Sequence, residues 1–158
     1  MKRLIALACA ALMAAPGFTQ APTTAPSAYG PPIAVDEALQ IIDRGMKQGA
    51  AKGLKLAFAV VEPSGELVAF ARMDDVPYAS TRIAQQKARA SARFRMPTAQ
   101  FEERVRNGRS ALLSSDEVIA VAGGVPIIVG GRVIGGLGVS GATAAEDAAI
   151  ASAIVDSR

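Results

Sequence analysis

Residues Gly123 to Asp147 read GGVPIIVGGRVIGGLGVSGATAAED, and how this run divides decides the fold. Val125 to Val129 is apolar and β-branched, which predicts a short strand. Gly130-Gly131 follows as a two-residue turn, since a tight hairpin needs positive φ at both central positions and glycine supplies it without steric cost. Arg132 to Ser140 then returns as the second strand. Thr143, with Glu146 three residues on, forms a T-x-x-E capping box that opens a final helix. No other part of the chain is so apolar and so poor in charge, so this hairpin and helix belong at the centre of the fold.

Gly136, Gly138 and Gly141 within this run match G-x-G-x-x-G, the dinucleotide fingerprint. That motif works only between a strand and a helix, with a second parallel strand and an acidic residue about 20 positions further on. Too little chain follows Gly141 to supply them. The glycines are read instead as close-packing positions on a twisted strand.

Working outward, the 158 residues suffice for one domain with a real core. Hydrophobic residues make up 51% and aromatics only 4%, a composition of small side chains and close element packing. There is no histidine, which excludes a Ser-His-Asp triad, a Cys-His pair, a histidine general base and imidazole metal ligation. Cys9 is the single cysteine, so thiolate clusters and internal disulfides are excluded as well.

Residues 1–21 read as a signal peptide: Lys2 and Arg3 are a basic start, and Leu4 to Ala15 is an apolar run too short to span a bilayer. The expected location is periplasmic or secreted, and an integral membrane protein is not expected. Losing Lys2 and Arg3 lowers the formal charge from +3 to +1, which gives little support to nucleic-acid binding. Residues 22–32 are rich in Pro, Ala, Thr and Ser and read as a flexible linker before a domain over 33–158.

Within that domain, a helix is expected from Val35 to Ala51, with Leu39, Ile42, Met46 and Ala50 at helical spacing and Asp36 and Glu37 favouring its N-terminus. A hairpin follows, with strands at Leu56 to Val61 and Glu66 to Arg72 around Pro63-Ser64-Gly65. A second helix covers Ser80 to Phe94, with Ala84, Ala88, Ser91 and Ala92 as a small-residue side. Pro97 ends it, and Thr98 is expected to cap a third helix running to Arg106. A short strand or turn is expected near Val118. The order of helix, hairpin, two helices, hairpin and helix implies an α+β domain, an antiparallel sheet with helices against it.

Three polar groupings are candidates for chemistry. Arg82, Lys87, Arg89, Arg93, Arg95, Arg104, Arg106 and Arg109 form a cationic set suited to carboxylates or phosphates, or to a solvated face and ion pairs. Arg72-Met73-Asp74-Asp75 lies at a strand end, as ligand groups or as turn acids. Ser140 to Thr143 offers free backbone N–H groups at a helix N-terminus, for an anion or for Thr143 as a plain cap.

Taken in order, the runs AVVEPSGELVAFARMD, AQQKARASARFRMPT and GGVPIIVGGRVIGGLGVSGATAAED resemble the GlcG/HbpS-like haem-binding family, which includes the C-terminal domain of PduO-type cobalamin adenosyltransferases. The resemblance covers about Val35 to Asp156. It implies a profilin-like α+β fold, a five-stranded antiparallel sheet with helices packed on it, assembled into homo-oligomers. It also implies haem as cofactor, in a haem-handling or weakly haem-degrading protein.

The family positions carried over are Arg72, Asp74, Lys87, Pro97, Arg109, Gly124 and Pro126; Pro97, Gly124 and Pro126 read as structural, Asp74 as a cofactor-site position, and Arg72, Lys87 and Arg109 as candidate partners of the haem propionates. With no histidine, the available axial groups are Tyr78, Met73, Met96, Thr81 or water. Two other readings stand beside this one: a periplasmic module for small organic acids, and an oligomeric partner of a membrane sensor or redox enzyme.

Overall fold

The computed structural model describes residues 27–157; the expected signal peptide, Cys9 and the start of the linker lie outside the described residues. The elements in chain order are β1 (Ala28–Tyr29), α1 (Val35–Ala51), β2 (Ala57–Val61), β3 (Leu67–Arg72), α2 (Tyr78–Phe94), α3 (Ala99–Arg106), a 3-10 turn (Ser110–Ser114), β4 (Gly124–Val129), β5 (Arg132–Ser140) and α4 (Ala144–Asp156).

Both expected hairpins form. β2 pairs antiparallel with β3, and β4 with β5 through Gly130-Gly131, whose φ values of 54° and 74° are those a tight turn demands. β2 joins the hairpins by pairing antiparallel with β5 from Ala57↔Ser140 to Val61↔Gly136.

The sheet is five-stranded but mixed, which corrects the expectation of a fully antiparallel one. Ala28 and Tyr29 pair in parallel with Arg132 and Val133. The linker stretch therefore contains a docked segment. Gly30 N donates to Val133 O at 2.9 Å, the Tyr29 hydroxyl donates to Arg93 O at 2.6 Å, and Arg132 and Arg95 donate to Tyr29 O and Ser27 O. Arg95 also lies 4.9 Å from the Tyr29 ring centroid, a cation–π contact that adds to the clasp.

Strand alternation divides the core into two layers. Phe58 and Val60 of β2 point to α1 and α4, where they meet Ile41, Ile42, Ile150 and Ile154. Ala57, Ala59 and Val61 point the other way, onto Ala84, Ala88 and Ala92 of α2. The α2 layer is thin because the glycines are there to make it so. A Cβ on Gly138 would fall 2.0 Å from Ala84 O, and one on Gly136 would fall 2.5 Å from Ala88 O. Gly136 and Gly138 are thus the floor on which α2 lies, while Gly141 packs against the backbone of Lys55 and Leu56.

Two local expectations change. In α1 the inward line is Ala38, Ile41, Ile42, Gly45 and Gly49, while Leu39 and Met46 face outward at 52% and 36% exposure. A Cβ on Gly45 would lie 2.6 Å from the Phe58 ring, so close approach runs through the glycines and displaces the larger residues outward. Thr98 stands at the N-cap position of α3, but its side chain makes no capping hydrogen bond. It is fully buried, accepts from Gly124 N at 2.9 Å and donates to Val121 O at 2.8 Å, tying the start of α3 to β4. The segment near Val118 is a turn, and the 3-10 turn precedes it.

Candidate functional site

The small side chains of α2 face the sheet, and this leaves the opposite stripe free. Arg82, Gln85, Gln86 and Arg89, at helical spacing, line a cavity of about 320 Å³ against Val61, Gly65, Glu66 and Leu67 of the β2–β3 hairpin. Tyr78 precedes this stripe by one turn, and Arg93 continues it by another.

The hairpin turn is fastened to α2 through Arg89, whose Nε donates to Gly65 O at 3.3 Å. Gly65 is required on two counts. Its φ is 92°, and a Cβ there would lie 2.8 Å from Arg89 Cγ. Arg89 Nη2 stands 3.8 Å from Glu66 Oε1, a long and solvent-exposed ion pair. Arg93 is committed to Glu117 at 2.8 Å. Among the described residues, no carboxylate lies within ion-pairing distance of Arg82. The groove therefore presents one guanidinium without a carboxylate partner and one, fastened to Gly65 O, whose ion pair is long.

Of the residues singled out in the sequence, Arg72 and Tyr78 come together where β3 leads into α2. The Arg72 guanidinium lies 5.6 Å from the Tyr78 ring centroid, and Tyr78 is 87% exposed. Asp74 is exposed in the turn between them.

Lys87 lies apart from these groups. It points into the protein, 1% exposed, and its ammonium donates to Asp147 Oδ2 at 2.8 Å and Val139 O at 3.0 Å. An ammonium so engaged is not presented to a propionate. Arg109 is exposed between α3 and the 3-10 turn and does not line the groove. Met73 is half-buried and packs against both core layers, so its thioether is a packing group.

At the N-terminus of α4, three backbone donors are taken by side chains of the helix's own first turn. Thr143 N donates to Glu146 Oε2 at 3.1 Å, Glu146 N to Thr143 Oγ1 at 3.3 Å, and Ala142 N to Asp147 Oδ1 at 3.1 Å. Hydrogen bonds from the Thr143 hydroxyl and then its backbone N–H hold the Glu146 carboxyl below its ordinary value. Among the described residues there is no group of three or more acidic, histidine or cysteine side chains able to hold a metal ion, and no helix is long and apolar enough to cross a membrane.

Gln85, Gln86 and Glu66 were not singled out from the sequence. The signal for the first two was present, since the small-residue line at 84, 88, 91 and 92 leaves 82, 85, 86 and 89 on the outer side. Glu66 carries no local signal, because only the hairpin's docking brings it to Arg89.

A mixed sheet layered between helices, with a cationic groove where the β2–β3 turn meets α2, defines a small α+β domain. Residues 33–156 match the family model described as haem degrading protein HbpS-like, and the chain belongs to that family. Protein GlcG of Escherichia coli strain K12 is 40% identical over 100 residues, covering 63% of this chain and 75% of GlcG. Among solved structures, Klebsiella pneumoniae protein ORFY, assigned to the DUF336 family, superposes with a TM-score of 0.76 at 26% identity, over 85% of this chain and 96% of ORFY. A PduOC:haem complex superposes with a TM-score of 0.73 at 21% identity, over 80% of this chain and 95% of PduOC, and shows a shared fold.

Proposed function

We propose that this protein is an exported haem-binding protein whose haem lies along the groove between β3 and α2. The observation that carries the reading is the outward stripe of α2, where Arg82 is uncommitted and Arg89 is held in place by Gly65 O, in a chain of the HbpS-like family. The groove fits the acidic edge of haem: Arg82 and Arg89 would hold the propionates through charge-assisted hydrogen bonds, and the half-exposed Leu67 supplies apolar contact. The porphyrin would supply the bound iron. For that iron this chain has no imidazole, and Tyr78, on the same side of α2 and 87% exposed, is the oxygen ligand we assign. Export rests on residues 1–21, with a periplasmic or secreted location.

A hemin titration of the mature domain tests this. A saturable Soret shift, altered in Tyr78→Phe, supports haem binding and the ligand. No saturable shift overturns the proposal.

One observation favours a second reading. The cavity of about 320 Å³ is small and lined mainly by polar side chains, which suits a small organic acid. Such a ligand, selective for the folded state, raises the melting temperature. Stabilisation by small organic acids without a hemin response favours this reading.

A further inference from the structure

We propose that Glu66 is a tethered competitor in the groove: its carboxylate faces Arg89 and is displaced when a ligand carboxylate enters. This inference rests on the groove reading above and names how the site admits its ligand.

The backbone of Glu66 is fixed, because its carbonyl accepts from Glu62 N at 2.9 Å and Gly65 N donates to Glu62 O at 2.9 Å, closing the turn from both sides. Its side chain is free by comparison, 74% exposed, and Oε1 stands 3.8 Å from Arg89 Nη2. That distance permits attraction but is too long for a hydrogen bond. An exposed pair of this kind is worth little, so exchanging it costs little. The Arg89 guanidinium, in contrast, is oriented by its Nε bond to Gly65 O and stays in place whichever carboxylate it faces.

Arg82 has no tethered partner, so the two guanidiniums differ. They are seven residues apart on α2, a separation of about 10 Å along the axis. A single-acid ligand satisfied by Arg82 leaves Glu66 undisturbed. A ligand with two acid groups engages Arg82 and then replaces Glu66 at Arg89, so the groove favours di-acids, of which haem with its two propionates is one.

The test is a double-mutant cycle read by hemin affinity in the wild-type domain, Glu66→Gln, Arg89→Ala and the double variant. Glu66→Gln removes the competitor and the negative charge while keeping the side-chain shape. It is expected to tighten hemin binding about two- to fivefold, with no such gain when Arg89 is alanine. An equal gain in the Arg89→Ala background overturns the proposal, since Glu66 would then act by general charge. Wild-type binding that does not respond to Glu66→Gln overturns it alone. Absence of hemin binding in all four proteins overturns the groove reading and this inference together. Unfolding curves of the four, expected to share one midpoint, show that affinity differences do not come from lost structure.

Discussion

Lys87 Nζ lies 2.8 Å from Asp147 Oδ2, a buried ion pair that joins α2 to α4 across 60 positions of the chain. The same ammonium donates to Val139 O, and the other carboxylate oxygen accepts from Ala142 N, so both charges are hydrogen-bonded as well as paired. Removing one partner strands the other charge. Lys87→Ala or Asp147→Asn is expected to cost about 3 to 5 kcal/mol in chemical denaturation, whereas Lys87→Met with Asp147→Leu recovers most of the loss. If Lys87→Ala left stability unchanged but weakened hemin binding, Lys87 would be a ligand group after all.

Gly138 is the floor under Ala84. With a Cβ 2.0 Å from a backbone oxygen, α2 must lift from the sheet. Gly138→Ala is expected to cost at least about 2 to 3 kcal/mol, read from the denaturation midpoint. Addition of a dinucleotide cofactor is expected to leave the wild-type melting temperature where it was, because Gly136 and Gly138 are covered by α2.

The capping box of α4 responds to pH. The folded-state pKa of Glu146 is depressed by its bonds to Thr143, so its contribution is present above the ordinary value of 4.5 and is lost as pH falls through the lower folded value. Stability of the wild type is expected to fall more steeply below that point than stability of Glu146→Gln. Thr143→Ala removes the cap itself and is expected to cost about 1 kcal/mol at neutral pH.

Two sets of arginines can be separated by ligand binding. Arg82→Glu reverses the uncommitted charge of the groove and is expected to weaken hemin binding at least about tenfold, in line with the loss of a charge-assisted bond. Arg109→Ala, away from the groove, is expected to leave the titration unchanged. The opposite ranking would move the site to the turn after α3.

Tyr29 holds the N-terminal strand. Tyr29→Phe removes the 2.6 Å hydrogen bond to Arg93 O and keeps the ring under Arg95. The expected loss is about 0.5 to 1.5 kcal/mol, with faster amide exchange at Gly30 and little change elsewhere.

What the sequence determined by itself is local. The Gly130-Gly131 turn, the T-x-x-E box at Thr143, the turn ending in Gly65 and the stop before Pro97 each depend on residues within a few positions of one another. Their φ preferences and short hydrogen bonds act before any tertiary contact exists. The small-residue side of α2 was legible for the same reason, as was the family pattern over most of the domain. What only the tertiary structure decided depends on partners far along the chain. Apolar periodicity shows that α1 has an inward face, but Phe58 pressing on Gly45 chooses the line that turns inward and leaves Leu39 and Met46 outside. A lysine in a cationic run looks like every other basic residue until Asp147 is folded against it. Nothing in Ala28-Tyr29 announces a strand until β5 offers it an open edge, and Glu66 meets Arg89 only because the hairpin is laid across α2. These contacts form between elements, so the free energy that selects them exists only once the elements have docked.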